Sequence, residues 1–154
     1  MFSQRIRKVM DPAAMVTVGP QATVSQAARL IAGHAVGAVL VVQDEALLGI
    51  FTASDAVCRV LAKGLDPDRT VLRDVMSAPV RTVEPDATFG SALQLMHEHA
   101  LRQVPVVEGG RPIGVLCARD ALDPEMEEFA VEAQRREAYE HIAHSQPAER
   151  EPKP

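Results

Sequence analysis

The chain has 154 residues and a formal net charge of −5; 47% of it is apolar, only 3% is aromatic, and there is no Trp. That length fits one compact domain, or two small halves around a shared core built from Val, Leu, Ile, Ala and Met. Few aromatics and no dense Lys/Arg block (the nearest are Arg5-Ile6-Arg7-Lys8 and Arg135-Arg136) argue against a nucleic-acid partner.

In chain order, a short strand is expected over residues 15–18, leading into the turn Thr17-Val18-Gly19-Pro20. Thr23 then opens a helix. Gln26, three residues on, completes a capping box, and Val24, Ala27, Ala28 and Ile31 recur at helical period. Two β-rich runs, 38–42 and 47–51, flank Asp44-Glu45. A second helix begins near Ala53 and stops at Lys63-Gly64, where glycine suits the C-cap. The same order returns: a strand over 80–83, a helix from Thr88 with Phe89, Ala92, Leu93 and Met96 on one face, and runs 103–107 and 112–116 about Gly109-Gly110. A Gly-Gly pair between two such runs is a strong hairpin signal. Another helix is expected from near Ala118. Beyond it, Asp123 and Pro124 suit the cap and first position of a charged helix reaching about Ala143, with a thin apolar stripe of Met126, Phe129, Ala130 and Ala133. The charged, Pro-rich tail 145–154 is expected to be disordered.

The return of the pattern is an internal repeat at a constant offset of 65 residues. Thr17-Val18-Gly19-Pro20-Gln21-Ala22-Thr23 matches Thr82-Val83-Glu84-Pro85-Asp86-Ala87-Thr88. His34-Ala35 matches His99-Ala100, Val41-Val42 matches Val106-Val107, Gly49 matches Gly114, and Ala53-Ser54-Asp55-Ala56 matches Ala118-Arg119-Asp120-Ala121. Val9-Met10 matches Val75-Met76 with one residue of slip. A half of about 60 residues buries too little surface to stand alone. The expected fold is therefore α+β (or α/β): two β-α-β-β-α repeats packed sheet to sheet about a pseudo-two-fold axis, with a cleft on that axis. The expected division is 9–65 for the first repeat, 66–123 for the second, 124–144 for a C-terminal helix and 145–154 for the tail.

The chemistry concentrates in Gly49-Ile50-Phe51-Thr52-Ala53-Ser54-Asp55, where a hydroxyl and a carboxylate meet at a strand-to-helix junction. Backbone N–H groups at a helix start favour phosphate. A carboxylate one turn on can accept from the vicinal hydroxyls of a ribose. Ribose with phosphate is a nucleotide. Thr-x-x-Asp is equally a capping box, in which Thr52 caps and Asp55 complements the helix dipole. In the second copy Cys117 takes the cap position while Asp120 stays, which hints at a further task for the carboxylate.

Other signals are weaker. Two cysteines, Cys58 and Cys117, are too few for a disulfide framework and read as reduced thiols of a cytoplasmic protein. The basic N-terminus lacks the apolar stretch of a signal peptide, and no apolar run approaches the roughly 20 residues that span a bilayer. No membrane partner is expected. His97 and His99 point apart on a helix, and His141 and His144 beside Glu137 and Glu140 read as a solvated face, so no metal is expected. Asp55 and Asp120 fall in separate clefts without a nucleophile, so the chain is not read as an enzyme.

The doubled pattern resembles the tandem CBS domain family, whose pair is called a Bateman module. The matching marks are Val-Met near the start of each copy, Thr-Val-x-Pro-x-x-Thr, Arg102-Gln103-Val104-Pro105-Val106-Val107, and Gly-h-h-Thr-x-x-Asp, where h is apolar. The resemblance implies an adenosine-containing ligand: AMP, ADP or ATP, or else NAD(H) or S-adenosylmethionine. It implies two crosswise clefts, one of Thr52, Ala53, Ser54 and Asp55 with Thr82, Arg102, Gln103 and Val104, the other of Cys117, Arg119 and Asp120 with Thr17, Ala38 and Val39. Arg102 is the favoured phosphate partner and Arg119 a second candidate. The sequence departs from the family pattern at Cys117, where Thr or Ser is usual, and at Leu40, where Pro is usual. Both departures fall on the second cleft, so the cleft of Thr52 and Asp55 is the expected functional one. The resemblance further implies a homodimer and a regulated protein partner. The rival expectation is a docking scaffold with vestigial clefts.

Overall fold

The computed structural model describes residues 2–121. It starts with one helical turn, α1 (Ile6–Val9), a 3₁₀ turn at Pro12–Ala14 and a two-residue strand, β1 (Thr17–Val18). Helix α2 (Val24–His34) rests on the cap the sequence announces: Thr23 Oγ1 accepts from the Gln26 N–H at 3.2 Å, and Gln26 Oε1 accepts from the Thr23 N–H at 2.9 Å. Strands β2 (Ala38–Gln43) and β3 (Ala46–Thr52) form an antiparallel hairpin, and β1 adds to β2 in parallel. Helix α3 (Ala53–Asp55) runs on into a π-helical turn, Ala56–Leu61, where the Ala62 N–H reaches back five residues to the Val57 carbonyl. The expected second helix is thus an α turn joined to a π turn, ending at Gly64 with φ +66°.

The second half holds α4 (Leu72–Val75), α5 (Phe89–Glu98) capped by Thr88, the antiparallel hairpin of β4 (Gln103–Glu108) and β5 (Arg111–Cys117), and a 3₁₀ turn at Ala118–Ala121. Both hairpins carry a register shift at equivalent places, Val41/Val42 and Val106/Val107. The helix and tail expected beyond residue 123 lie outside the described residues.

One expected strand is missing. Residues 80–83 contribute a single parallel bridge, Val83 to Val106, and the second sheet has two strands. The cause is a proline. In the first half the Leu40 N–H donates to the Val16 carbonyl at 2.8 Å and ties β1 to β2. The equivalent donor in the second half would be Pro105, which has no N–H. What remains is the Val83 N–H to the Pro105 carbonyl at 3.0 Å and the Val107 N–H to the Val83 carbonyl at 2.9 Å.

The cores do not follow the chain. Helix α1 packs into the second half, where Ile6 is fully buried among Phe89, Ala92, Met96, Val104, Val106 and Leu116. Its backbone is tied there by the Ile6 N–H to the Ala87 carbonyl at 3.0 Å and the Phe89 N–H to the Gln4 carbonyl at 2.8 Å. Helix α4 does the reverse. Leu72 and Val75 join Val24, Ala27, Val39, Val41, Phe51 and Val60 in the first core, and the Leu72 N–H donates to the Ala22 carbonyl at 2.9 Å. Burying one such aliphatic side chain stabilises by about 1.5–3 kcal/mol. The sheets meet face to face through a third apolar cluster: Ala38, Leu40 and Ile50 from one, Val115 and Cys117 from the other.

Each exchanged segment ends in a methionine that lies on a glycine of the opposite half. Met76 covers Gly49 and Met10 covers Gly114. A Cβ at Gly114 would sit 2.9 Å from Met10 Sδ, the end of a flexible side chain. A Cβ at Gly49 would press on Met76 and also lie 3.1 Å from the Ser77 carbonyl oxygen, which is backbone. Gly49→Ala should therefore cost about 1–3 kcal/mol of overpacking, and Gly114→Ala distinctly less. Urea unfolding of the two variants against the parent protein measures the order.

Candidate functional site

Two strand-to-helix junctions, one per repeat, bring the candidate residues together. At the first, Thr52 ends β3 and caps α3. Its Oγ1 accepts from the Asp55 N–H at 3.1 Å, while Asp55 Oδ2 accepts from the Thr52 N–H at 3.0 Å. The capping box is real, and Asp55 spends one oxygen on it. The other oxygen, Oδ1, faces Arg59 Nε at 3.7 Å. Ala53 and Ser54 are exposed at the rim. The Ala53 N–H donates to the Gly37 carbonyl at 3.2 Å, which anchors the junction to the start of β2.

The second junction has the same frame with different groups. The Ala118 N–H donates to the Arg102 carbonyl at 2.9 Å, the counterpart of the Gly37 contact. Asp120 Oδ2 accepts from the Cys117 N–H at 2.7 Å. Half of the capping box thus survives without a hydroxyl, and this bond supplies a local task for Asp120 that the sequence did not reveal.

Strand register sets the remaining candidates. Ala38 pairs with Thr52 and Val39 with Phe51; Gln103 pairs with Cys117 and Val104 with Leu116. Val39 and Val104 are fully buried in their own repeat cores, so only their backbones are left to meet a ligand. Thr17 is exposed on β1, and Thr82 and Arg102 are exposed outside any strand. An open cleft lies between the repeats, lined by Ala14, Val36, Gly37, Ala38, Gln103, Val115, Cys117 and Arg119, with about 240 Å³ of space including its mouth. It gathers Ala38, Cys117 and Arg119, all expected in the second cleft, and adds Gln103, expected in the first. The Gln103 side chain crosses over Gly37, where any Cβ would collide with it. Gln103 therefore bridges the two repeats. Sequence reasoning missed Gly37; its position directly before the first β run was the available signal.

The cleft has an apolar floor and a cationic rim. Cys117 is buried in the floor. Burial pushes its thiol upward, the Asp120 charge adds to this, and the charge and hydrogen bond of Arg119 oppose it. No group of three or more His, Cys, Asp or Glu residues suited to a metal occurs among the described residues. No helix among them is long and apolar enough to cross a membrane.

The profile of the CBS domain matches residues 6–61 and again residues 72–125. The chain belongs to the CBS domain family. A CBS pair carries the repeat, the crosswise packing and the two junctions described above. An uncharacterized protein of Methanopyrus kandleri is 34% identical over 113 residues, which cover 72% of this chain and 58% of that protein. The chain thus spans rather over half the length of that relative. The crystal structure of an uncharacterized conserved protein from Pyrococcus horikoshii superposes with a TM-score of 0.73 at 28% identity, covering 79% of this chain and 92% of that one. The CBS domain pair of protein MJ0100, solved with 5′-methylthioadenosine and S-adenosyl-L-methionine, shares the fold at a TM-score of 0.67 and 21% identity, covering 76% and 91%.

The thiol environments differ enough to test. Cys58 is exposed and Cys117 is buried. A raised thiol stays protonated, and only the thiolate alkylates readily. Iodoacetamide near neutral pH should modify Cys58 first, with Cys117 following only as the pH becomes alkaline; peptide mass spectrometry at each pH reads the order. The folded state favours the neutral Cys117 thiol, so its contribution to stability is present below the unfolded thiol's pKa. It is lost as pH rises through the folded value.

Proposed function

We propose that this CBS pair is a non-catalytic regulatory module that binds an adenosine-containing ligand (AMP, ADP or ATP) between its repeats and passes the bound state to a protein partner. The observation that carries the reading is the doubled junction. Each has a carboxylate that accepts from the backbone amide three residues before it, Asp55 from Thr52 and Asp120 from Cys117, and the open cleft between the repeats reaches Cys117 and Arg119 of the second. Asp55 or Asp120 would accept from the ribose hydroxyls. The aliphatic walls would sandwich the base, and Arg102 or Arg119 at the rim would meet the phosphates. The same fold accommodates adenosine derivatives in the MJ0100 pair.

The first junction supplies Thr52 Oγ1 as a hydroxyl beside the helix start, and the second supplies only a buried thiol. This difference favours the cleft of Thr52 and Asp55 for a phosphate-bearing ligand, with Thr82, Arg102 and Gln103 opposite. The cleft of Cys117, Arg119 and Asp120 with Thr17 and Ala38 suits a ligand with fewer phosphates or none; S-adenosylmethionine and NAD(H) are the alternative ligands of the module. To act as a switch, the module must bind its ligand differently in two conformations.

A second reading has its own support. Val57, Leu61 and Leu65 are spaced by four residues and are 55%, 65% and 42% exposed. Such a row suits docking, and a homodimer through this face is the simplest form of it. In that form the pair would act as a scaffold.

Melting with AMP, ADP, ATP, NADH and S-adenosylmethionine distinguishes the readings. A ligand at about 100 times its dissociation constant stabilises by about 2.7 kcal/mol, a shift of several degrees for a domain of this size. An adenine nucleotide should raise Tm in the parent protein and in Asp120→Ala, and lose its effect in Asp55→Ala. Loss with Asp120→Ala instead would move the site to the Cys117 cleft. No shift with any ligand would favour the scaffold.

A further inference from the structure

Asp55 stands in a chain of contacts that its counterpart Asp120 does not share among the described residues. Its Oδ2 is committed to the Thr52 amide at 3.0 Å, and its side chain is 15% exposed. Oδ1 is therefore the oxygen left for a ligand hydroxyl, and Oδ1 is the atom that faces Arg59 Nε at 3.7 Å. That separation exceeds hydrogen-bond length, so the guanidinium attracts the carboxylate without being locked to it. Arg59 Nη1 meanwhile donates to the Val75 carbonyl at 3.0 Å. Val75 ends α4, the segment that crosses from one half to the core of the other. Directly after it, Met76 covers Gly49 and the Ser77 N–H donates to the Ile50 carbonyl at 2.9 Å. One arginine thus touches the ligand-facing carboxylate at one end and the crossing segment at the other. In the second repeat the 65-residue offset puts Pro124 at this position, and proline has no side-chain donor.

We propose that Arg59 is a positioning residue that couples occupancy of the Asp55 cleft to the crossing segment α4. This rests on the reading that Asp55 accepts ribose hydroxyls. In the empty protein the guanidinium divides its charge between Asp55 Oδ1 and the Val75 carbonyl. Hydroxyls that claim Oδ1 release Arg59 from the carboxylate and leave it wholly to Val75. The end of α4 is then held more firmly on the first core. Because α4 is the strand of chain that joins the halves, the ligand's presence is written into the inter-repeat connection itself.

Amide hydrogen exchange of the full chain, with and without saturating AMP, reads this directly at Met76 and Ser77. Met76 N–H bonds to the Leu72 carbonyl at 2.8 Å, so both amides report the hold on α4. In the parent protein AMP should slow their exchange by about threefold or more. In Arg59→Ala the slowing should vanish while calorimetry still shows AMP binding. Arg59→Gln keeps a donor for Val75 without a charge for Asp55, and should also lose the response; it serves as the folded variant if Arg59→Ala is unstable. Slowing that persists in both variants, or AMP binding to the parent without any slowing, overturns the coupling and leaves the nucleotide reading intact. AMP binding to neither parent nor variant removes the nucleotide reading, and the coupling with it.

Discussion

The close passage of Met76 over Gly49 and of Met10 over Gly114 is the constraint on which the rest of the molecule depends. Each passage brings a segment of one half onto a β-strand of the other. At Gly49, where the Ser77 carbonyl also lies close, it depends on the strand's offering a bare backbone. From these two crossings follow the placement of Ile6 in the second core and of Leu72 and Val75 in the first. The polar contacts repeat the symmetry. Arg7 of α1 reaches Glu108 at the end of β4, and Arg73 of α4 reaches Gln43 at the end of β2. Neither half has a complete core of its own, because each takes a segment from the other.

The candidate sites inherit their geometry from that packing. Each lies where a β-strand turns into a helix, and each is fixed by a carboxylate bonded to the cap amide rather than by bulk. The two sites share a frame and differ in function-bearing atoms. One has a hydroxyl and an arginine-attended carboxylate. The other has a buried thiol whose proton is held by the apolar surroundings and by Asp120. The duplicated scaffold thus presents two chemically unequal junctions.

Much of this was legible in the residues. The capping box at Thr23 and Gln26, the hairpins about Asp44-Glu45 and Gly109-Gly110, and the sheet-to-sheet packing follow from local chemistry and the 65-residue offset. The crossings were not. Val9-Met10 and Val75-Met76 read as openings of their own repeats, because sequence similarity says which segments are alike and not which core each one enters. Their one-residue slip was the only trace. The strand expected at 80–83 failed for a reason already visible, the proline at 105, whose missing donor matters only once its partner is known. Arg59 escaped notice because its role lies in two contacts, one across a helical turn to Asp55 and one to a carbonyl 16 residues away.

The exchange of α1 and α4 also sets an order of assembly during synthesis. The first core needs Leu72 and Val75, so it can close once the chain has grown through Met76. Helix α1 is made before the other described elements, yet its partners Val104, Val106 and Leu116 are among the last described residues to appear. Ile6 must therefore stay without its core while roughly a hundred residues are added, a span of about 5–20 seconds at ordinary rates of elongation. The first of the described elements to be made is thus the last to find its place, and placing it is what joins the start of the fold to its second half.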